Sequence, residues 1–211
     1  MSVISAIRPV YGHPGRFEIL IDEVVFATLS LDAIERLELG VGRSVEGREG
    51  DIAAEAAHVV VYDCALTMLA SRARSCAELT RALVRKGAER AIVDRVIARL
   101  REQGLIDDAA FAQAFTRAKV LGAKHSRRRV QLELARKGVT REVTDAAIDA
   151  VFEAEGVDQS ELVEAVARKK LRSLAALEPH IRRRRLYAFL ARRGYDGEDI
   201  RRAMEKISRE P

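Results

Sequence analysis

The amino-acid sequence predicts a mainly α fold, with three tandem three-helix repeats preceded by a small strand-rich N-terminal domain. Three observations point there. The pentapeptides Leu83–Gly87, Leu134–Gly138 and Leu190–Gly194 are similar and lie 51 and 56 residues apart. Apolar residues around each Gly keep one helical register: Leu79, Val130 and Leu186 at −8, Leu83, Leu134 and Leu190 at −4, Ile97, Ile148 and Met204 at +10. The first 55 residues show neither the Gly anchor nor that period.

That N-terminal segment reads as a small antiparallel sheet. Ser2–Val10, Arg16–Ile21 and Val24–Thr28 are short runs rich in β-branched residues, separated by Gly12-His13-Pro14-Gly15 and by Asp22-Glu23. A short helix near Ser30–Leu37 and a Gly-containing turn at Gly40–Val45 follow. The segment is acidic, with five Arg against ten Asp and Glu, a net of −5, whereas residues 56–211 carry 32 basic and 22 acidic side chains, a net of +10.

Nine helices are expected after it, three per unit, in units 56–104, 105–156 and 157–211. Each anchoring Gly sits between a middle helix, B, and a last helix, C; its left-handed backbone closes helix B. A first helix, A, carries Leu66, Phe111 or Leu162, each with an apolar residue four places on (Ala70, Phe115, Val166) and an Arg six places on. Ser75 with Glu78 forms a capping box at the start of the first helix B, and Ser126 stands at the same distance from its own Gly. Asp107 and Asp158 are N-caps for the second and third helix A, and Pro179 suits the first turn of the third helix B.

Composition narrows the function. With 211 residues, 48% hydrophobic and 33% charged, the chain is large enough for one or two packed domains. No uninterrupted apolar run reaches membrane-spanning length, since even Val59–Ala70 contains Asp63, and no leader pattern opens the chain, so no membrane association is expected. Cys64 and Cys76 lack the second pair of a zinc site, and a reducing, cytoplasmic setting is expected. His13, His58, His125 and His180 are scattered, Gly40–Gly47 lacks the Gly-Lys-Ser/Thr ending of a phosphate loop, and Asp107-Asp108 is explained by capping. No catalytic residue, metal or cofactor is expected, and the chain is read as non-enzymatic.

The functional signal is basic. Arg85-Lys86, Arg136-Lys137 and Arg192-Arg193 end their helices, where cations complement the helix dipole. Arg127-Arg128-Arg129 falls instead in the first turn of a helix starting at Ser126, where the dipole disfavours cations. Arg183-Arg184-Arg185, extended by Arg182, takes the same position in the third unit. Positions −9 and −2 share a helix face, so Arg129 with Arg136 and Arg185 with Arg192 should point to solvent beside Arg128 and Arg184. Six like charges without intervening carboxylates call for an anionic partner. The contact candidates are Arg85, Lys86, Arg127, Arg128, Arg129, Arg136, Lys137, Arg183, Arg184, Arg185, Arg192 and Arg193. Phe111 and Phe115 read as core, whereas Tyr187, Phe189 and Tyr195, amid the third Arg cluster, are further candidates for partner contact.

Leu69-Ala70-Ser71-Arg72-Ala73-Arg74-Ser75, Glu78-Leu79, Leu83, Lys86-Gly87 and Gly104-Leu105-Ile106-Asp107-Asp108-Ala109-Ala110-Phe111-Ala112 resemble the RecX family of bacterial recombination regulators. Arg128-Arg129-Val130-Gln131-Leu132-Glu133-Leu134 with Lys137-Gly138 is similar to that family's next segment. The match covers about residues 56–208, and its order and spacing carry it. The resemblance implies an elongated, curved array of three-helix units lying in the helical groove of a RecA–DNA filament. It also implies a role in homologous recombination, DNA repair and the SOS response, in which the protein restrains filament growth, ATP hydrolysis and strand exchange without catalysis. Expected partners are the RecA filament and single- or double-stranded DNA, the latter bound weakly alone, with the protein a monomer. The first 55 residues depart from the family's shorter members.

Two other readings compete. A helix B–Gly–helix C pair could serve a sequence-specific helix-turn-helix regulator, although helix C mixes signs in the first unit and is mainly acidic in the second (Glu142, Asp145, Asp149). A helical-repeat adaptor that never meets nucleic acid is the third reading.

Overall fold

The computed structural model describes residues 2–209 and divides into two compact units, residues 1–74 with 79–106, and residues 75–78 with 107–211. In the first unit, strands β1 (Ile4–Pro9), β2 (Arg16–Ile21) and β3 (Val24–Ser30) form an antiparallel sheet in the order β1-β2-β3. The β2–β3 hairpin closes through Asp22 and Glu23 alone, with φ of 49° and 64°. Two left-handed residues match the right-handed twist of the flanking strands, and the first of them is an Asp, a residue type that tolerates that geometry. Alternation along β2 and β3 buries Ile19, Leu29 and Ala27 with Ile4 and Val45. Ser30 ends β3 and caps α1 (Leu31–Arg36), its hydroxyl accepting from the Ala33 amide.

Helix α2 (Glu49–Ser71) then runs unbroken for 23 residues and packs on β3 and on α4 (Arg90–Glu102). The change in composition at 55–56 therefore lies inside a helix: Ile52 belongs to the sheet core, and Val59 and Ala65 are buried further along the same rod. Among the described residues α2 is the one helix long and apolar enough to cross a membrane. Its ionisable groups are engaged as in a core helix. Glu55, 9% exposed, takes Arg36 and Arg95 at 2.7 and 2.5 Å; Asp63 takes Arg16 from β2; and Tyr62 lies between Arg16 and Arg99, at 5.6 and 5.8 Å from its ring centre.

Helix α3 (Cys76–Arg85) straddles the division, its first turn belonging to the second unit. The second unit continues with α5 (Asp108–Arg117), a π-helical turn (Ala118–Gly122), α6 (Arg127–Lys137), α7 (Arg141–Ala154), α8 (Gln159–Arg172), α9 (Pro179–Arg192) and α10 (Gly197–Arg209). All nine expected repeat helices and the expected short helix are present. The caps are also as read. Asp107 accepts from the Ala109 and Ala110 amides, Asp158 from Ser160 and Glu161, Ser126 from Arg129 at 3.2 Å, and Pro179 opens α9. The second and third repeats share one hydrophobic core, through Leu134, Ile148, Val163, Ala167, Leu190 and Ile200. The apolar stripes of these two repeats thus complete one another, as in other helical repeats.

A recurring joint positions the middle helices. Ser75 caps the first turn of α3, accepting from the Glu78 amide, and its hydroxyl donates to the Lys137 carbonyl at the end of α6 at 2.6 Å. The Cys76 amide donates to Asp108, the first residue of α5. One repeat later, the Ser126 amide donates to the Arg193 carbonyl at the end of α9, and the Arg127 amide to the Gln159 side chain, at the first residue of α8. In both joints a helix start meets a helix end and opposite dipole ends face; the orphan carbonyl accepts from the Ser75 hydroxyl in the first and from the Ser126 amide in the second. The second joint is close enough that Gly194 is required there. It has φ of +85°, and a Cβ on it would lie 2.7 Å from both Arg129 Cβ and Ser126 Oγ, whereas one on Gly87 would meet nothing within 4 Å.

Gly87→Ala is accordingly expected to cost about 1 kcal/mol, the left-handed penalty alone. Gly194→Ala should cost about 2–4 kcal/mol, because overpacking adds to it. Urea unfolding of the two variants measures the difference, and equal costs would show that the joint yields to a methyl group.

Candidate functional site

The expected basic residues lie on α3, α6 and α9, and the fold treats them differently. Arg127 leaves the first turn of α6 to pair with Asp149 of α7 at 2.5 Å, its guanidinium 4.3 Å from the Phe152 ring centre. Arg129 donates to Glu133 at 2.7 Å, one helical turn on. Lys137 pairs with Glu78 at 3.0 Å and sits over Phe111 and Phe115. Arg193 stacks on Phe189 at 4.8 Å and donates to the Ala123 carbonyl. These four cations help hold the second unit together. Two expectations are corrected here: Arg129 is not an unaccompanied solvent-facing charge, and the basic face is not free of carboxylates, since Glu133 lies four residues after it.

Arg128, Arg183, Arg184, Arg185 and Arg192 are different. Each is exposed and forms no ion pair among the described residues. Arg85, Lys86 and Arg136 are exposed at the ends of α3 and α6.

Tertiary structure brings some of these residues together across repeats. Arg128 and Arg129 of α6 line an open cleft of about 590 Å³ with Arg192 of α9. Leu132, 49% exposed, and the chain from Gly194 to Gly197 complete its walls. The expected pairing of Arg185 with Arg192 along one helix is therefore joined by a contact between two different helices. Asp196 is the acid in the cleft. It caps α10 by accepting from the Glu198 and Asp199 amides, and the Asp199 amide chiefly holds its carboxyl below the ordinary carboxylate range. It is thus committed to the helix end, leaving the cleft's exposed cations in excess.

The cleft is held from behind. Tyr195, 4% exposed, donates its hydroxyl to the Lys124 carbonyl, and burial pushes that phenol up to about 12. Lys124 has φ of 54° and follows the π-helical turn, an irregularity of the kind that π-turns mark in functional helices. Tyr195 is therefore a strut between α9 and the segment before α6, too buried to touch a partner. Phe189 lies half-buried under Arg193 and Lys170. Tyr187, 43% exposed, is the one of the three aromatic candidates open to contact. In the sequence, the pattern −8, −4 already placed Leu186 and Leu190 inward, but nothing there distinguished Tyr195 from Tyr187.

Beneath Arg129 lies a small charged cluster. Glu133 is 3.6 Å from both Lys119 Nζ and His125 Nδ1. Burial pushes its carboxyl up, but the Arg129 hydrogen bond and the charges of Lys119, His125 and Arg129 outweigh that and hold it below the usual range. His125 is held below an ordinary imidazole, first by burial and then by Lys119, Arg193 and Arg129, with Glu133 opposing. No three His, Cys, Asp or Glu side chains gather as a metal site among the described residues. Cys64 and Cys76 are free thiols, both partly buried.

A histidine depressed in the folded state binds its proton more readily when unfolded, so stability falls as pH drops below about 6.5. His58, lowered chiefly by burial, contributes in the same direction. The thermal midpoint should rise between pH 5 and pH 7, and His125→Gln should make that rise shallower without abolishing it. An unchanged slope in the variant would show that His125 titrates normally.

Family models match the chain in three stretches, described as the first, second and third three-helix domains of RecX, over residues 62–100, 107–148 and 158–204. The chain is 37% identical over 145 residues to regulatory protein RecX of Chlorobaculum tepidum, covering 69% of this chain and 86% of that protein. It is 32% identical over 157 residues to that of Thermobifida fusca, covering 72% and 83%. Among solved structures, a crystal structure of regulatory protein RecX matches with a TM-score of 0.79 at 20% identity, over 97% of this chain and 100% of that one. That likeness of fold takes in the N-terminal sheet. RecX from Lactobacillus salivarius matches with a TM-score of 0.60 at 17% identity, over 72% of this chain and 97% of its own. With three family domains in order and a relative of such identity over most of its length, the chain belongs to the RecX family of regulatory proteins.

Proposed function

We propose that this protein is a non-catalytic cytoplasmic regulator of homologous recombination and DNA repair that binds the RecA–DNA filament and restrains its growth, ATP hydrolysis and strand exchange. The observation that carries this reading is the cleft where Arg128 and Arg192 converge from two helices, exposed, without a partner carboxylate and braced by the Ser126–Gly194 joint. Guanidiniums in a concave surface suit carboxylates of a protein filament or phosphates of its DNA, both of which they can meet with paired hydrogen bonds. Membership of a family of regulatory proteins supports the partner class. Arg185, seven residues before Arg192 on α9, shares its helix face and extends the positive surface with Arg184 beside it, and Tyr187 on the same helix is an exposed aromatic. Nothing in the fold favours the helix-turn-helix alternative: Asp145 and Asp149 on α7 are tied to Gln131, Arg141 and Arg127.

The test is suppression of filament-dependent ATP hydrolysis by the full-length protein at substoichiometric amounts. The double variant Arg128→Glu, Arg192→Glu should need at least tenfold more protein for half-suppression. Its own stability should shift by no more than about 0.5 kcal/mol, since both side chains are exposed and unpaired. If the wild-type protein leaves hydrolysis and filament length unchanged, the reading fails; if the variant acts as well as the wild type, the cleft is not the contact.

A further inference from the structure

A second groove, of about 600 Å³, opens at the far end of the third repeat, between α8, α9 and α10. Its floor is apolar, formed by Leu171, Leu186, Met204 and Ile207, and its rim carries Arg182, Arg183 and Arg209. None of the three guanidiniums forms an ion pair among the described residues. Glu205 is the one carboxylate on the rim.

The two internal joints show what such a surface takes. Arg182 and Arg183 stand twelve and eleven residues before Gly194, the places held by Ser75 and Cys76 before Gly87 and by Ser126 and Arg127 before Gly138. In those earlier repeats the place is a helix start covered from outside by the next repeat. Helix α9 starts earlier, at Pro179, and the Arg182 amide already donates to the Glu178 carbonyl, so only the side chains of Arg182 and Arg183 are open to a covering group there. Asp108 reaches the Cys76 amide, and Gln159 reaches the Arg127 amide. Each of these side chains opens a helix, directly after an N-cap Asp (Asp107, Asp158) that itself follows an apolar residue, Ile106 or Val157. The covering group is thus an apolar residue followed by acidic or amide residues at a helix start.

A second difference leaves the third groove open. Fourteen residues after its Gly, the second repeat has Phe152, which is 6% exposed and lies under the Arg127 guanidinium. The third repeat has Ser208 at that position. Ser208 is far smaller than Phe152, and Glu205, in the register of Asp149, forms no ion pair with Arg183 among the described residues.

We infer that this groove is a docking site for an acidic helix-initiating segment of another protein, an apolar residue followed by two carboxylates, which takes the place that a following repeat takes in the first two units. The carboxylates meet Arg182 and Arg183, and the apolar residue enters the floor. The apolar floor and the absence of an aromatic stacking surface favour a peptide over a nucleic acid. The groove is separate from the Arg128–Arg192 cleft and stands whether or not that cleft binds a filament.

The probe is a fluorescein-labelled peptide with the sequence of residues 104–117, whose Leu-Ile-Asp-Asp start is the covering group of the first joint. Its anisotropy is titrated with the full-length protein. Saturable binding is expected, weakened at least tenfold by Arg182→Glu with Arg183→Glu and at least fivefold when both peptide Asp residues are Asn. Ser208→Phe should abolish binding by filling the groove from within, while Ser208→Ala, equally exposed and equally folded by circular dichroism, retains it. The proposal is overturned if the peptide fails to saturate, if the Arg182/Arg183 variant binds it as the wild type does, or if Ser208→Phe leaves binding intact. It is equally overturned if a twenty-nucleotide oligo-dT, and not the peptide, binds in a manner lost in the same variants.

Discussion

The organisation of the second unit rests on the joint in which the start of one middle helix is seated against the end of the next. Helix ends are costly to bury, because four N–H and four C=O groups lack intrahelical partners. Here the start of α6 is buried at Ser126 against Arg193 and Gly194, and the first turn of α3 is seated in the same way on Lys137 and Asp108. Ser126 caps its own helix through the hydroxyl and donates its amide outward, so one residue serves both helices. Gly194 closes α9 in the left-handed region and has no Cβ to hold α6 away. The joint is the reason that Arg128 and Arg192, 64 positions apart in the chain, line one cleft.

The same joint divides the basic residues by role. A cation near it can reach an acceptor of the neighbouring repeat, as Lys137 and Arg193 do, or a carboxylate and a ring of its own repeat, as Arg127 does. These contacts also answer the unfavourable placement of an Arg triplet at a helix start, since Asp149 and Glu133 neutralise two of its three charges. Arg128, Arg184, Arg185 and Arg192 are exposed and form no ion pair among the described residues. Charge alone therefore does not separate the cations that serve the fold from those that stay exposed.

The first unit shows a different use of ion pairs. Its sheet is fastened to a long helix by Arg16 on Asp63 and by Arg36 and Arg95 on Glu55, with Tyr62 between two guanidiniums. A buried carboxylate with two cationic partners is costly to leave alone, so breaking either arm would strand a charge. Only the Glu55–Arg95 pair joins an acid of residues 1–55 to a base beyond them; Arg16–Asp63 runs the other way, so these pairs depend on local placement and not on the charge asymmetry of the sequence.

Local chemistry in the sequence was enough to specify the three strands, the short helix, nine repeat helices, their caps and the αL glycines, because capping, left-handed glycines and 3.6-residue periodicity act over a few neighbours. Recognition of the family followed from the order of those same local signals. Other features depended on residues far apart in the chain. The continuity of α2 through the change in composition arises because Ile52 is wanted by the sheet and Val59 by the helices. The pairing of Arg129 with Glu133 was legible as an i, i+4 spacing, but whether the pair forms was decided by how deeply Glu133 is buried beside Lys119 and His125. Tyr195 as a strut, Phe152 as the filler that Ser208 omits, and the meeting of Arg128 with Arg192 arise only when α6 and α9 abut. The sequence by itself determined which helices form and where they end; the tertiary structure alone decided which charges remain free, because a long cationic side chain is committed by whatever acceptor the fold brings within its reach.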